Sequence, residues 1–543
     1  AMSVKKRYVQ VGLGSRSWMY TRAVMESHSE WCEMAGFSDS NEGRLEQRVA
    51  WAKERGSDVP GFSDKDFTKM ARKLKPHTVI VITKDCFHDE YICRAMKLGC
   101  DVITEKPMTT DERKCRQIIR TQKETGRKCV VTFNYRYSPP RTQIKELLMS
   151  GVIGNVVSVD FHWMLDTSHG ADYFRRWHRN KENSGGLLVH KATHHFDLVN
   201  WWLSSIPEVV YATGGRFFYT PETAERYGLS GRSERCHDCP EASRCSFHLD
   251  IAGNEHLRKM YFENEQYDGY FRDRCVFSSQ IDIEDTMHVV VQYASGAQMS
   301  YSLHAFMPWE GYVITFNGTK GRLEHKCMET VYISGDGSVP GELLSEGTTT
   351  RIYPHFKPGY SVDVWKGEGG HGGGDRLLLD DLFHPAPPAD KYLRAADHRS
   401  GAYSILTGAA ANKSIATGKP VVIEKLVPGI GMPDYPAMPT AAERCRWKNR
   451  RVSGSDGRLG AVAGGKAVKI YVMTDMEGVA GVLNAEEWTS PASKYYEVGK
   501  ELLTREVNAA VDGLFAAGAD EVVVADGHGP GAINPVLLDR RAL

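Results

Sequence analysis

Three stretches of the chain place residues capable of chemistry at spacings that chemistry uses. The first, "VHKATHHFDLVNWW" at residues 189 to 202, sets His190, Lys191, His194 and Asp197 beside an almost wholly apolar run. On one helix His190, His194 and Asp197 fall at i, i+4 and i+7, with Phe196, Leu198, Val199 and Trp202 covering the other directions, so the spacing predicts a buried helix with a wet edge. Three roles compete for those imidazoles. They can satisfy hydrogen bonds in a core. Two of them four residues apart can bind zinc, although the glutamate of the metalloprotease pattern is absent. Or an imidazole, titrating near neutral pH, can take the proton of a secondary alcohol as hydride leaves.

The second stretch, "ITEKPMTT", ends a strand with Glu105, Lys106 and Pro107, where a lysine can polarise a substrate oxygen. The third, "VQVGLGSRS", places Gly12 and Gly14 after a strand, the turn that brings backbone amides to a pyrophosphate at a helix N-terminus. Ser17 occupies the usual third-glycine place. Asp39, in "MAGFSDSNEGR", is spaced to accept from an adenosine ribose, which favours NAD, while Ser40 and Arg44 leave NADP as the alternative.

The elements that must position these groups follow from periodicity. From 4 to 133, "RYVQVGLG", "CEMAGFSD", "TVIVIT", "CDVITE" and "KCVVTF" alternate with helix-length segments, the pattern of a doubly wound parallel sheet in a Rossmann domain. From 134 to 428 the alternating strands "HVVVQYA", "AQMSYSLHAF", "YVITFNG" and "TVYISG" predict an α+β domain with a large, mostly antiparallel open sheet. Residues 429–466, with "PGIGMPDYPAMP" and "SGSDGRLGAVAGG", read as a linker. At 467–543 a new βαβ pattern starts and gives a partial α/β module.

With those elements in place, a family resemblance becomes specific. "GLGSRS", Asp39, "TKDCFHDEY" with His88, "EKP", "NYRYSPP" and "GVIGNVVSV" occur in the order seen in the Gfo/Idh/MocA oxidoreductases, over about residues 4 to 428. The resemblance implies a Rossmann domain, an open sheet that supports a homo-oligomer, dimer or tetramer, and hydride exchange between a nicotinamide and a sugar or cyclitol hydroxyl. Lys106 matches the family's catalytic lysine. The expected cofactor set is Gly12, Gly14, Ser15, Arg16, Asp39, Thr83, His88, Glu105 and Lys106.

"SGGLLVHKATHHFD" resembles the family's glycine-rich approach to Asp-x-x-x-His-x-x-Asp. His194 and Asp197 match the later two positions, and His190 stands where the family carries aspartate. A His-His pair does not hold positive charge as an Asp-His pair does. His194 is therefore expected to exchange the proton, with His190 and Lys191 tuning it. The substrate set comprises Asn134, Arg136, Asp197, the polyol-binding candidates Arg176, Trp177 and His178, and His371 in the glycine loop "GEGGHGGGD".

Two further motifs suit metals. "RCHDCPEASRC" sets Cys236, Cys239 and Cys245 in a C-x2-C-x5-C arrangement, and with Cys275 these make a tetrahedral thiolate site for structural zinc, the same ligand set as an iron–sulfur cluster. "VKIYVMTDMEGVAGV" and "GADEVVVADGHGPGAIN" resemble the start of the zinc D-aminopeptidase family, with Asp475, Glu477 and His528 matching its first ligands and the later ones missing.

Composition excludes other classes. With 68 basic and 68 acidic residues the chain lacks the field of a nucleic-acid or membrane-surface binder, which leaves small-molecule partners. Its longest apolar runs are strand-sized, and with no signal-like start, Ala1 before Met2 reading as a cloning remnant, a cytoplasmic location is expected. Three functions fit: an NAD-dependent oxidoreductase on CH–OH groups; an NAD-dependent glycosidase that oxidises transiently, eliminates and returns the hydride; and a non-catalytic nicotinamide-binding or scaffold protein.

Overall fold

The computed structural model describes residues 5–329, 343–367, 372–438, 468–477 and 479–542. Chain contacts divide it into two units, Ala1–Trp447 and Lys448–Leu543.

The first unit opens with six strands, β1 (Lys6–Val11), β2 (Cys32–Asp39), β3 (Gly61–Ser63), β4 (Thr78–Val81), β5 (Asp101–Thr104) and β6 (Cys129–Val131), in a parallel sheet of order β3-β2-β1-β4-β5-β6. Val79, Ile80, Val81 and Val102 are buried, as the continuous apolar runs of a sheet covered on both faces require. The strand order reverses between β1 and β4, and a ligand crevice opens outside the carboxyl ends at such a switch point. The Gly12 turn follows β1, Asp85 follows β4 and Lys106 follows β5, so all three lie at that crevice.

A nine-stranded sheet follows, built from β7 (Val156–Asp166), β8 (Pro207–Gly215), β9 (Thr286–Tyr293), β10 (Gln298–Met307), β11 (Glu310–Gly318), β12 (Gly321–Glu329), β13 (Leu343–Pro354), β14 (Tyr360–Val362) and β15 (Val421–Val422). Its order is β14-β13-β12-β11-β7-β10-β9-β8-β15, antiparallel except for β7 with β10. Alternate residues of β12 are buried, the period expected when one sheet face is covered. The helices Thr193–Leu203 and His398–Thr417 cover it, with Ser414 Oγ accepting from Ala212 N of β8 at 2.9 Å. Gly408 permits this packing: a Cβ there would stand 2.2 Å from the Leu188 carbonyl oxygen, so only glycine lets the long helix press on the turn Leu187–His190.

Between β8 and β9 an insertion, residues 216–285, carries the cysteine motif on turns and helices of no more than six residues. Among the described residues no helix is long and apolar enough to cross a membrane.

The second unit pairs β16 (Lys469–Thr474) in parallel with β17 (Glu521–Asp526) and joins them through the helix Tyr496–Ala516. Leu503, Val507 and Val511 of that helix are buried with Val522 and Met476, the apolar stripe of a βαβ crossover.

Candidate active site

One cavity of about 790 Å3 runs from the Gly12 turn to the helix Thr193–Leu203. At its first end Gly12 has φ 89°, and a Cβ would lie 2.3 Å from the Ile82 carbonyl oxygen, a cradle that only glycine leaves open. Asp39 braces the turn: its carboxylate accepts from Leu13 N at 2.6 Å and Asn41 N at 2.7 Å. Arg44, the group that keeps NADP in play, lies between Asp39 (3.3 Å) and Asp268 (2.5 Å), so two carboxylates already face the charge a phosphate would need.

Ser15 meets an unforeseen partner, since the Tyr261 hydroxyl lies 3.1 Å from its amide and 2.7 Å from its Oγ. Arg16 donates to Glu105 at 2.7 Å, and burial, which pushes the Glu105 carboxyl up, is outweighed by Arg16, so the group ends below its ordinary value. Thr83 lines the cavity, and His88 spans the Thr83 and Pro107 carbonyls at 3.1 and 2.8 Å, tying the loops after β4 and β5 together.

At the far end, Lys106 Nζ donates to the His190 carbonyl at 3.2 Å. Burial drives Lys106 down to about 8, against the pull of Asp85 and Glu105. His190 Nδ1 lies 2.5 Å from Asp85 Oδ2, both groups buried. Burial pushes Asp85 up against the pull of Lys106, and burial with the repulsion of Lys106 and His178 pushes His190 down, so the site disfavours charge on both groups. The His-His combination read from sequence thus has a carboxylate after all. It comes from the loop after β4 rather than from the helix.

The remaining wall suits a polyol. Trp177 stacks on His178 with centroids 3.6 Å apart, and the His178 ring meets His190 edge-on at 4.2 Å. Arg176 pairs with Asp172 at 3.1 Å. His194 stacks on Tyr135 at 4.3 Å, and the Lys191 ammonium sits 4.8 Å from the Trp163 ring centroid. Glu310, held by His169 at 2.9 Å, and Glu329, held by Arg141, complete a floor of hydrogen-bonding edges between aromatic faces.

Comparison with known proteins fits this geometry. A model described as "Oxidoreductase family, NAD-binding Rossmann fold" matches residues 6–133, and "Oxidoreductase family, C-terminal alpha/beta domain" matches 145–423, more than half of the chain. The chain belongs to the Gfo/Idh/MocA oxidoreductases. YteT of Bacillus subtilis (strain 168), an oxidoreductase by name, is 39% identical over 441 residues, 78% of this chain and 98% of the relative. "Glycosyl hydrolase family 109 protein 1" of Akkermansia muciniphila is 26% identical over 34% of this chain and 40% of its own length. Among solved structures, the WlbA dehydrogenase from Bordetella pertussis, in complex with NADH and UDP-GlcNAcA, shares the fold with TM-score 0.51 at 18% identity, covering 77% of this chain and 99% of that one.

The geometry of this Gfo/Idh/MocA site differs from the sequence reading in several places. The window 189–202 is no single helix: Leu187–His190 and Thr193–Leu203 are separate, and His190, His194 and Asp197 point to three different partners. His190 and His194 of the stripe line the cavity, whereas Asp197 turns into the protein. Asp197 and Arg136, expected on substrate, form a two-bond ion pair (2.7 and 2.5 Å) with side chains 1% and 0% exposed, because a charge taken from water needs a partner inside. Asn134 donates to Asp375 at 2.6 Å, and the member of "NYRY" that reaches the cavity is Tyr135. His371 lies outside the described residues.

The ion pair sets up a stability prediction. Arg136→Ala leaves a buried carboxylate unpaired and is expected to cost about 3–5 kcal/mol. Arg136→Met with Asp197→Leu is expected to recover most of that loss. Denaturant melts of the three proteins check this.

The metal motifs separate. Asp475, Glu477 and His528 bring their ligand atoms within 4.8 Å of one another, with His528 Nδ1 3.0 Å from Asp475 and 3.3 Å from Glu477. A D-aminopeptidase model matches residues 468–542 of this unit. Cys236, Cys239, Cys245 and Cys275 line one small cavity as free thiols. Among the described residues, the acidic-histidine trio is the group whose three ligand atoms come that close, so the four sulfurs are gathered without the tight convergence of a preformed tetrahedral site.

Proposed function

We propose that this pocket takes NAD and that the enzyme exchanges a hydride with a secondary hydroxyl of a sugar, cyclitol or glycoside. The observation that carries this reading is the meeting of Lys106, the Asp85–His190 pair and His194 in the cavity whose other end is the Gly12 turn. When bound, the nicotinamide supplies the acceptor for the hydride that leaves the carbinol carbon. Lys106 donates to the reacting oxygen and stabilises its developing negative charge, while His194 takes the hydroxyl proton. Asp85 Oδ2 holds His190 through Nδ1 and so orients the ring, leaving Nε2 for the substrate. Lys191, Trp177, His178 and Arg176 hold the polyol. Asp39 and Asp268 flanking Arg44 favour NAD over NADP.

A second reading, redox-neutral glycoside cleavage, is favoured by one feature: two imidazoles with separate partners. Transient oxidation followed by elimination needs a second proton transfer, at the carbon beside the new carbonyl, and the His190–Asp85 pair suits it. The Akkermansia relative's name points the same way. We assign the second unit no separate reaction, and the four cysteines a structural metal rather than a part in the chemistry. Exposed Tyr211 and Val290, paired across β8 and β9, support assembly into a homo-oligomer through that sheet face.

The test is a panel of sugars, inositols and glycosides with NAD and NADP, following reduced nicotinamide and released sugar together. Reduced cofactor without release, with NAD preferred, is the expected result for a dehydrogenase. Release without net reduction identifies the redox-neutral route.

A further inference from the structure

The insertion 216–285 holds the cofactor end of the pocket from outside. Tyr261 meets Ser15 of the glycine turn, Asn41 Nδ2 donates to the Asn264 carbonyl at 2.9 Å, and Asp268 takes Arg44 at 2.5 Å. Arg272, fully buried in the cavity wall, lies with its guanidinium 4.6 Å from the Tyr261 ring centroid, and its Nε makes no hydrogen bond. Asp172 Oδ2 stands 3.7 Å from the Arg272 Nη2, and the unused Nε, next to the tyrosine that meets the glycine turn, leaves a donor for an anionic ligand.

The two ends of the insertion join the main core through Tyr219, Ala224, Leu229, Phe277 and Ile283, but the stretch that reaches the cofactor end has a buried cluster of its own of only Ile251, Leu257, Met260 and Tyr261, and a stretch with so small a core gains from a staple. The staple is at hand. Cys236 N donates to the Asp273 carbonyl at 2.8 Å and Cys275 N to the Glu234 carbonyl at 2.9 Å, so a short bridge brings the knuckle and Cys275 together. Cys239 N donates to the Cys236 carbonyl at 3.2 Å, turning the knuckle back on itself. The four thiols and His248 surround a cavity of about 20 Å3, room for one atom-sized occupant.

We propose that Cys236, Cys239, Cys245 and Cys275 bind one zinc ion as thiolates, and that this ion fixes the insertion's hold on the dinucleotide. Each thiol gives up its proton on binding, and the ion draws the four sulfurs inward to bonding distance. The route from metal to cofactor is short. Arg272 lies three residues before Cys275 on one segment. Arg235, adjacent to Cys236, donates to Glu265 at 2.6 and 3.0 Å, and Glu265 begins the turn of helix that carries Asp268.

The second half of the proposal rests on the cofactor reading; the first does not. Elemental analysis and absorbance of the full chain, purified under reductant, give the metal content. NADH binding is then measured before and after a thiol-directed mercurial releases the metal, and in Cys275→Ser. One zinc per chain is expected, with NADH affinity falling at least about tenfold on release, because the clasp is no longer preorganised. Iron with labile sulfide on the same cysteines supports a thiolate centre and overturns zinc as its metal. A metal-free chain with four titrating thiols overturns the site. Metal release that leaves NADH affinity unchanged on a folded chain overturns the coupling. A fully metallated wild type that binds no NADH contradicts the cofactor reading and leaves the metal assignment standing.

Discussion

Lys106→Ala is expected to lower kcat by about 10²–10⁴-fold while NADH still binds, because the lysine acts on the reacting oxygen rather than on the dinucleotide turn. Its ammonium donates to the His190 carbonyl and lies close to Asp85, at the catalytic end of the cavity. The pH dependence gives an independent reading. Burial lowers the Lys106 pKa to about 8. If the charged form polarises the hydroxyl, kcat/KM for alcohol oxidation falls as pH rises through about 8 and that alkaline limb is missing in the alanine variant. An alanine variant with unchanged kcat would contradict the assignment of Lys106 to the reacting oxygen.

Asp85→Asn is expected to have the next largest effect, about 10²–10⁴-fold on kcat, since asparagine keeps the shape and loses the carboxyl group that orients His190. The sign of the accompanying pH shift follows from the same contact. Asp85 raises the Lys106 pKa, so removing its charge lets that pKa fall and moves the alkaline limb to lower pH. A purely structural role for Asp85 would lower activity at every pH without moving the limb. Steady-state kcat/KM profiles of the two proteins check this.

Much of this site is legible in the sequence wherever local pattern and site geometry coincide. The glycine turn, Asp39 and the lysine after "ITE" sit at strand ends, and a doubly wound sheet carries every strand end to one crevice. Arg176, Trp177 and His178 reach the cavity from a compact turn, where neighbours in sequence remain neighbours in space. Helical spacing misleads at residues 189–202, because a break at Lys191 and Ala192 rotates His190 away from His194 and Asp197. The family resemblance points Asp197 and Arg136 to the substrate, and burial gives each the other instead.

Asp85 was within reach: it stands three residues before His88, just after β4, at the switch point the strand order defines. What conceals it is that its partner lies 105 residues away, a separation that no local pattern encodes. Tyr261, Asp268 and Arg272 are hidden for the same reason, since a loop-rich insertion has no period from which its landing place on the cofactor end could be read.

The most direct test of hydride exchange at Lys106 uses sugars, cyclitols and glycosides deuterated at each carbinol carbon, incubated with wild type and Lys106→Ala in the presence of NAD. Mass spectrometry of the recovered cofactor and of the sugar then reads where the label goes. With wild type, the label is expected to leave the carbinol carbon and reach the nicotinamide, whether it accumulates there or returns, and to stay in place with the variant. A cofactor that binds yet never takes label from any of these compounds, or label that moves equally well without Lys106, would contradict it.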